Sequence, residues 1–128
     1  AEPSAIMRHD GPVMSAVFHP KAQAVAFAGG KQESPGVIKM WNLVSGTVEQ
    51  TFNGHAGEVR SLAFSSDGKK LVSAGGSRDR GEVHFWDAET GELKTPHREL
   101  SGRVLRVAVS RDGKVAAAGA DGLLRIWS

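Results

Sequence analysis

Val37-Ile-Lys-Met-Trp41 returns along the chain as Val83-His-Phe-Trp86 and as Leu123-Leu-Arg-Ile-Trp127. In each version the residues one and three positions before the tryptophan are apolar, and the residue two positions before it is polar. Alternation with a period of two residues is typical of a β-strand. The chain is therefore predicted to contain three copies of one strand that ends in tryptophan.

Other segments recur in step with these strands. The blocks 13–18, 59–64 and 104–109 match one another, and the last two are followed by Asp-Gly turn signals at Asp67-Gly68 and Asp112-Gly113. Asp-Gly favours a hairpin because the glycine accepts a positive φ. Short apolar strands follow each block, and further strands are predicted at 47–52 and 92–97. Each unit of about 45 residues thus holds up to four short antiparallel strands, as in one propeller blade.

The Asp-Gly turns, the endings Trp41-Asn42 and Trp86-Asp87, and Gly54-His55 before the next unit resemble the WD-repeat family. The resemblance covers essentially the whole chain in three tandem copies. It implies an all-β fold, a β-propeller of four-stranded antiparallel blades with three blades per chain. The strands of a blade are labelled a to d from the central channel outward.

The blade boundaries leave an incomplete ring. Blades 1 and 2 span 13–52 and 59–97, whereas blade 3 spans 104–128 and lacks strand d; residues 1–6 align with the d strand at 47–52. Propeller rings hold roughly four to eight blades, so three cannot close one. We therefore expect closure by oligomerisation, in which residues 1–6 of one copy complete blade 3 of another. A homodimer of six blades is favoured over a homotrimer of nine, and a fragment of a longer propeller remains the alternative.

The family resemblance also implies a buried hydrogen-bond relay of Asp, His, Ser or Thr, and Trp in a blade. No blade matches it completely. Blade 2 comes nearest with His55, Ser73 and Trp86, but Arg80 stands at the aspartate position and Asp79 lies one residue away. The relay in blade 2 therefore depends on Asp79 reaching His55. The other matched residues are His9 and Trp41 in blade 1 and Asp121 and Trp127 in blade 3.

The connections between strands b and c differ in length. Blade 1 inserts 31–36 and blade 2 inserts 77–81, whereas blade 3 has a short link. The b–c and d–a connections open on one face of a propeller, and loops on a rigid scaffold often carry function. Arginine is also favoured at interface hot spots. The predicted partner-binding residues are Lys31, Glu33, Glu58, Arg60, Arg78, Arg80 and Arg103.

One position of strand a carries Ser15, Ser61 and Arg106 in successive blades. If this position faces the channel, a closed ring brings the Arg106 side chains of the copies together near its axis. An anion would then be the expected ligand there.

Composition limits the classes of function. The net charge is +2, there is no tyrosine and the basic residues are scattered, so no nucleic-acid partner is expected. No apolar stretch is long enough for a membrane helix, and a soluble chain is predicted. The five histidines show no ligand spacing on one element, so neither a metal nor a cofactor is expected. The compartment stays open, with export implied only if Ala1 follows a cleaved signal.

The favoured function is a non-catalytic scaffold that binds a protein or peptide. The alternative is a part-propeller that oligomerises without a dedicated ligand. A hydrolase built on the His and Ser of blade 2 is the most distant reading, because the family resemblance makes that set structural.

Overall fold

Eleven β-strands and no helix make up the part of the chain that the computed structural model describes. That part comprises residues 2–9, 11–31 and 35–128, with the backbone alone described at 95–99. The strands are β1 (Val13–Phe18), β2 (Ala24–Gly29), β3 (Val37–Asn42), β4 (Thr47–Asn53), β5 (Glu58–Phe64), β6 (Lys70–Ser77), β7 (Arg80–Asp87), β8 (Leu93–Leu100), β9 (Val104–Val109), β10 (Val115–Gly119) and β11 (Leu124–Trp127).

The strands form three antiparallel sheets in which each strand pairs with its neighbour in sequence. Strands β1–β4 form blade 1, β5–β8 form blade 2, and β9–β11 form the three-stranded blade 3. The all-β prediction and the repeated strand pattern are therefore confirmed. Strand β11 lies at the edge of blade 3, and no further strand pairs with it among the described residues.

The Asp-Gly turns close the first hairpins of blades 2 and 3, as predicted. Gly68 has a φ of 75° and Gly113 a φ of 92°, values that favour glycine because it has no Cβ. The Asp67 carboxylate accepts hydrogen bonds from the Ser65 hydroxyl at 2.7 Å and the Lys69 backbone N–H at 3.0 Å. The aspartate thus holds the turn through its side chain while the glycine adopts the backbone angle.

Two apolar clusters join the three sheets. Blades 1 and 2 bury between them Ala24, Ala26, Ala28, Ile38, Met40, Phe52, Val59, Leu62, Leu71, Trp86 and Ala88. Blades 2 and 3 bury Val72, Ala74, Val83, Val104, Val107, Val115 and Ala117. Blade 2 is therefore covered on both faces, whereas blades 1 and 3 are each covered on one.

Equivalent repeat positions show the difference between covered and uncovered faces. The residue three before the tryptophan is 0% exposed in blades 1 and 2 (Ile38 and Val83) but 67% exposed in blade 3 (Leu124). The residue that begins the repeated block of strand a is 0% and 1% exposed in blades 2 and 3 (Val59 and Val104) but 52% exposed in blade 1 (Val13). Each terminal sheet thus exposes the positions that its counterparts bury against a neighbouring sheet.

Residues 2–9 lie in no strand of the single chain. Ile6, which aligns with the fully buried Phe52, is 84% exposed. The pairing of 1–6 with another copy stays a prediction, and Ala1 lies outside the described residues. No helix long and apolar enough to cross a membrane occurs in the described ranges.

Candidate functional site

A buried relay joins the connection between β4 and β5 to two strands of blade 2, β6 and β7. The His55 Nε2 atom lies 2.6 Å from the Ser73 hydroxyl oxygen, and the Trp86 indole N–H donates to the same oxygen at 2.8 Å. All three side chains are buried. The structure therefore brings together the histidine, serine and tryptophan that were predicted from the sequence.

The carboxylate of this relay is Glu82 on β7, and the prediction of Asp79 needs correction. The Glu82 Oε1 atom lies 3.4 Å from His55 Nδ1, and its two oxygens accept the backbone N–H groups of Ala56 at 2.9 Å and Gly57 at 3.0 Å. Asp79 is exposed because Ser77 pairs with Arg80, which puts Asp79 in the two-residue tip of the β6–β7 hairpin. The predicted b–c insertion of blade 2 is thus a hairpin tip on longer strands.

Hydrogen bonds from its neighbours keep the Glu82 carboxylate ionised. Burial disfavours the charged carboxyl most strongly, but hydrogen bonds with His55, His84 and the Ala56 N–H together outweigh it and hold the Glu82 pKa well below its ordinary value. The folded state therefore gains stability from the Glu82 anion above pH 4.5, the ordinary value, and loses that gain as the pH falls below it.

His84 is the second histidine of the cluster. Its side chain is fully buried, and its ring stacks on that of His55 with centroids 4.0 Å apart and planes at 14°. Its Nε2 atom lies 3.4 Å from Glu82 Oε2. The prediction that this residue faces solvent is wrong. His84 is buried because it pairs with Ser73 on the face of blade 2 that also carries Leu71 and Trp86, and blade 1 covers this face. Glu82 and His84 are the two site residues that the sequence analysis missed.

Blade 1 replaces the relay with other contacts. His9 Nε2 lies 3.2 Å from the Val37 carbonyl oxygen, and the His9 ring packs edge-on against Phe27, which stands at the hydroxyl position. Trp41 is half-buried. His9 is therefore placed as the family pattern implies, but it has no serine or threonine hydroxyl to bind.

Blade 3 also departs from the relay. The Asp121 carboxylate accepts hydrogen bonds from Arg125 Nη2 at 2.9 Å, the Ser101 hydroxyl at 2.9 Å and the Leu123 N–H at 3.1 Å. These hydrogen bonds lower the Asp121 pKa to about 2, and the bond from Arg125 has the largest effect. Trp127 is half-buried and packs edge-on against Phe85 of blade 2. Asp121 thus pairs with a cation on its own hairpin.

The loop face is the end of the sheets that carries residues 30–31, 35–36, 53–58, 77–80, 100–104 and 119–124. Three of the predicted partner-binding residues meet there. Arg60 donates to Glu58 Oε1 at 3.0 Å through Nε, with its Nη2 2.8 Å away, and Arg103 Nε lies 4.0 Å from the same oxygen. Two guanidinium groups therefore share one carboxylate oxygen.

The remaining loop-face candidates lie in or next to the connections between strands b and c. Lys31, Arg78 and Arg80 are exposed. Glu33 lies outside the described residues.

The serines of strand a connect neighbouring blades. The Ser15 hydroxyl accepts the Leu62 N–H at 3.2 Å, and the Ser61 hydroxyl accepts the Val107 N–H at 3.0 Å. Ser61 is buried between the sheets of blades 2 and 3, so in this chain it does not face open space as the channel interpretation required. Arg106 is exposed.

Comparisons with known proteins agree with this architecture. The family model described as "WD domain, G-beta repeat" matches residues 46–87 and 92–128. Apoptotic protease-activating factor 1 of Rattus norvegicus is 37% identical over 97 residues, covering 73% of this chain and 7% of that protein. DDB1- and CUL4-associated factor 13 of Dictyostelium discoideum is 55% identical over 57 residues, covering 44% of this chain and 12% of that protein.

A solved structure shows the same fold. The Cps50 (Swd1) β-propeller domain of Myceliophteria thermophila superposes with a TM-score of 0.78 at 20% identity, covering 96% of this chain and 37% of that one. This chain spans 7% and 12% of the length of the two relatives named above. With two matched repeats, three propeller-type sheets and the His55–Ser73–Trp86 relay, the chain belongs to the WD-repeat family.

Proposed function

We propose that this chain is a non-catalytic interaction scaffold whose loop face binds an acidic segment of a partner protein. The observation that carries the proposal is the unequal charge of the cluster formed by Glu58, Arg60 and Arg103. One carboxylate faces two guanidinium groups, which leaves a surplus positive charge at the mouth of the sheets.

The geometry of Arg103 supports an acidic partner. Its Nε is buried and has no hydrogen-bond acceptor among the described residues, and it lies 4.0 Å from Glu58 Oε1. That oxygen already binds Arg60 at 3.0 Å or less. Arginine presents a planar fork that fits a carboxylate through two parallel hydrogen bonds. The Arg103 side chain as a whole is 21% exposed, and a glutamate or aspartate of a partner would bind it where it is accessible.

The relatives and the chemistry of blade 2 support a binding role over catalysis. One relative is named as a factor associated with DDB1 and CUL4, that is, as a member of an assembly. Ser73 is fully buried, and its oxygen already contacts both His55 and the Trp86 indole. A substrate carbonyl could not reach this hydroxyl without disrupting the core, which argues against the hydrolase alternative.

The test uses two labelled peptides of equal length, one of glutamates and one of lysines. We expect the wild-type chain to bind the glutamate peptide preferentially. Arg103→Ala should weaken this binding about tenfold or more, because a hydrogen bond to a charged group contributes about 1.5–3 kcal/mol. Fluorescence anisotropy titrations at one ionic strength measure the change.

Arg111→Ala is the matched control, since Arg111 is exposed in the hairpin turn at the opposite end of blade 3. Binding by this control should equal that of the wild type. An equal loss in both variants would show unspecific attraction to net positive charge, and equal affinity for both peptides would exclude an acidic partner.

We further propose that a second copy of the chain covers the exposed terminal faces. Leu124 and Ile126 of blade 3 occupy the repeat positions at which blade 1 buries Ile38 and Met40 against blade 2. Val13 of blade 1 is equivalent to residues that are buried against a preceding blade. The two ends are thus halves of one repeated contact, and two copies placed head to tail would close six blades, within the usual range.

The outer strand fits the same arrangement. The free edge of β11 needs a strand d, and Ile6 stands at the repeat position of the buried Phe52. A crossing N-terminal strand would pair with this edge and bury Ile6. The contact between copies would lack one bond, because Arg106 replaces the serine that accepts a backbone N–H in the two internal contacts and a guanidinium cannot accept.

Light scattering on a size-exclusion column tests this closure. The monomer is 13.5 kDa. We expect twice that mass for the wild type; a nine-bladed ring would give three times the monomer mass. The Leu124→Asp variant should have the monomer mass and an unchanged β-type circular dichroism spectrum, because assembly would bury an unpaired carboxylate in the apolar contact.

Val44→Asp is the control, because Val44 is also largely exposed but lies in the β3–β4 turn. It should assemble as the wild type does. A wild type at 13.5 kDa, or a Leu124→Asp variant that keeps the wild-type mass, would contradict closure by a second copy and leave further blades of a longer chain as the occupant.

A further inference from the structure

We propose that His55, Glu82 and His84 form a binding site for a divalent transition metal ion of the Zn²⁺ class, placed between the loop face and the relay of blade 2. This inference is independent of the partner and of the assembly proposed above. It concerns the one group of three or more histidine and carboxylate side chains with converging donor atoms within the described ranges.

The donor atoms have the spacing of a coordination sphere. The His55 Nδ1 and Glu82 Oε1 atoms are 3.4 Å apart, and so are His84 Nε2 and Glu82 Oε2. All three donors lie within 4.8 Å of one another. Zinc bonds to nitrogen and oxygen of about 2.0–2.1 Å in a tetrahedron put neighbouring ligands about 3.3 Å apart. Each of the two 3.4 Å distances, one to each oxygen of Glu82, therefore matches one edge of such a tetrahedron.

Two of the three ligands are oriented by a second layer of hydrogen bonds. The Ser73 hydroxyl lies against His55 Nε2, and the N–H groups of Ala56 and Gly57 hold the two oxygens of Glu82. Metal-binding histidines usually donate their other ring N–H to such a fixed oxygen. Ser73 can accept from both His55 and Trp86 through its two lone pairs, which leaves Nδ1 of His55 as the donor toward the metal.

The donor set and its burial favour zinc-like ions. Two imidazoles and one carboxylate suit Zn²⁺, whereas Mg²⁺ and Ca²⁺ prefer oxygen ligands throughout. All three side chains are almost completely buried. A divalent ion would also compensate the charge of the buried Glu82 anion.

Binding requires one local movement. The lone pair of an imidazole lies in its ring plane, and the planes of His55 and His84 meet at only 14°. A shared ion needs planes that converge on it. Since Ser73 holds His55, we expect His84 to turn about its Cβ–Cγ bond. The His84 ring lies 5.5 Å from that of Trp86, so the tryptophan fluorescence should change when the metal binds.

The experiment titrates Zn²⁺ into the EDTA-treated 128-residue chain by calorimetry. We expect one ion per chain, a fluorescence change that saturates at the same ratio, and a rise in Tm of order 10 °C when Zn²⁺ is in hundredfold excess over its Kd. Co²⁺ in place of Zn²⁺ should give the intense visible absorption of a tetrahedral site. No Zn²⁺ binding by the wild type would overturn the proposal and leave the cluster as a hydrogen-bonded relay.

His84→Phe is the main variant, because phenylalanine keeps an aromatic ring on His55 and removes both nitrogens. Its affinity for Zn²⁺ should fall at least tenfold while the circular dichroism spectrum stays unchanged. His19→Gln, a histidine of the opposite face that contacts the Gly68 carbonyl, is the control and should bind as the wild type does. If His84→Phe does not fold, Glu82→Gln replaces it. Undiminished binding by the folded variant would place the ion elsewhere and overturn the site.

Discussion

Phe52→Ala is expected to lower the free energy of unfolding by about 3–5 kcal/mol, as large aromatic truncations in cores do. Phe52 is fully buried in β4, pairs with Ile38, and packs edge-on against Trp86 of the next blade with ring centroids 5.6 Å apart. The truncation would leave a cavity at the contact between two sheets. With total stabilities of about 5–15 kcal/mol, this is a large share of the fold.

Urea unfolding at one fixed protein concentration measures the loss, since copies that assemble would make stability depend on concentration. Val44→Ala is the control because Val44 is 77% exposed, and it should change stability by less than about 0.5 kcal/mol. A loss of similar size in both variants would show that the cluster between blades 1 and 2 does not hold the sheets together.

The strands of this protein could be predicted because the same signals occur three times. Alternation before Trp41, Trp86 and Trp127 and the Asp-Gly turns agree in position, and the sheets follow them within a few residues. Strand β8 ends at Leu100 although the sequence predicted its end at residue 97. The reason is that β8 pairs along β7 as far as Gly81, which the local pattern of β8 does not reveal.

The site could be predicted only in part because alternation assigns faces to a strand but does not say which face meets solvent. Stacked sheets cover both faces of a middle blade, so a polar residue such as His84 can be buried. One signal was available: the residue four before the tryptophan is Val37 in blade 1 and Leu123 in blade 3, but Glu82 in blade 2. A charge at an apolar repeat position needs a buried partner, and this points to the histidines.

Arg103 and Glu58 illustrate the opposite case. Both were predicted as partner-binding residues from their place before or at the start of strand a. The sequence does not show that the stacking of blades 2 and 3 brings Arg103 Nε to within 4.0 Å of Glu58 Oε1. The contact follows from the stacking of the sheets, since the residues are 45 positions apart in the chain.

Ser73→Ala tests whether the relay stabilises blade 2, and we expect it to lower the free energy of unfolding by about 2–4 kcal/mol. The change removes one oxygen, so the cavity is small. It also leaves the Trp86 indole N–H and the His55 Nε2 without their partner in a buried site, and each unsatisfied group costs about 1–3 kcal/mol. Urea unfolding gives the loss, and Ser45→Ala, an exposed serine in a turn, should lose almost nothing.

A double-mutant cycle with Trp86→Phe separates hydrogen bonding from packing. If the serine stabilises the fold through the indole, the loss in the double variant should be smaller than the sum of the two single losses by at least about 1 kcal/mol. The reason is that Trp86→Phe removes the indole N–H that Ser73→Ala would leave without an acceptor. Strict additivity of the two losses would contradict the relay.

Blade 3 shows why the effect is specific to blade 2. Ala117 occupies the position of Ser73 there, and Leu100 occupies the position of His55, so no histidine depends on a hydroxyl. In this chain the blade with alanine at the serine position also lacks the histidine.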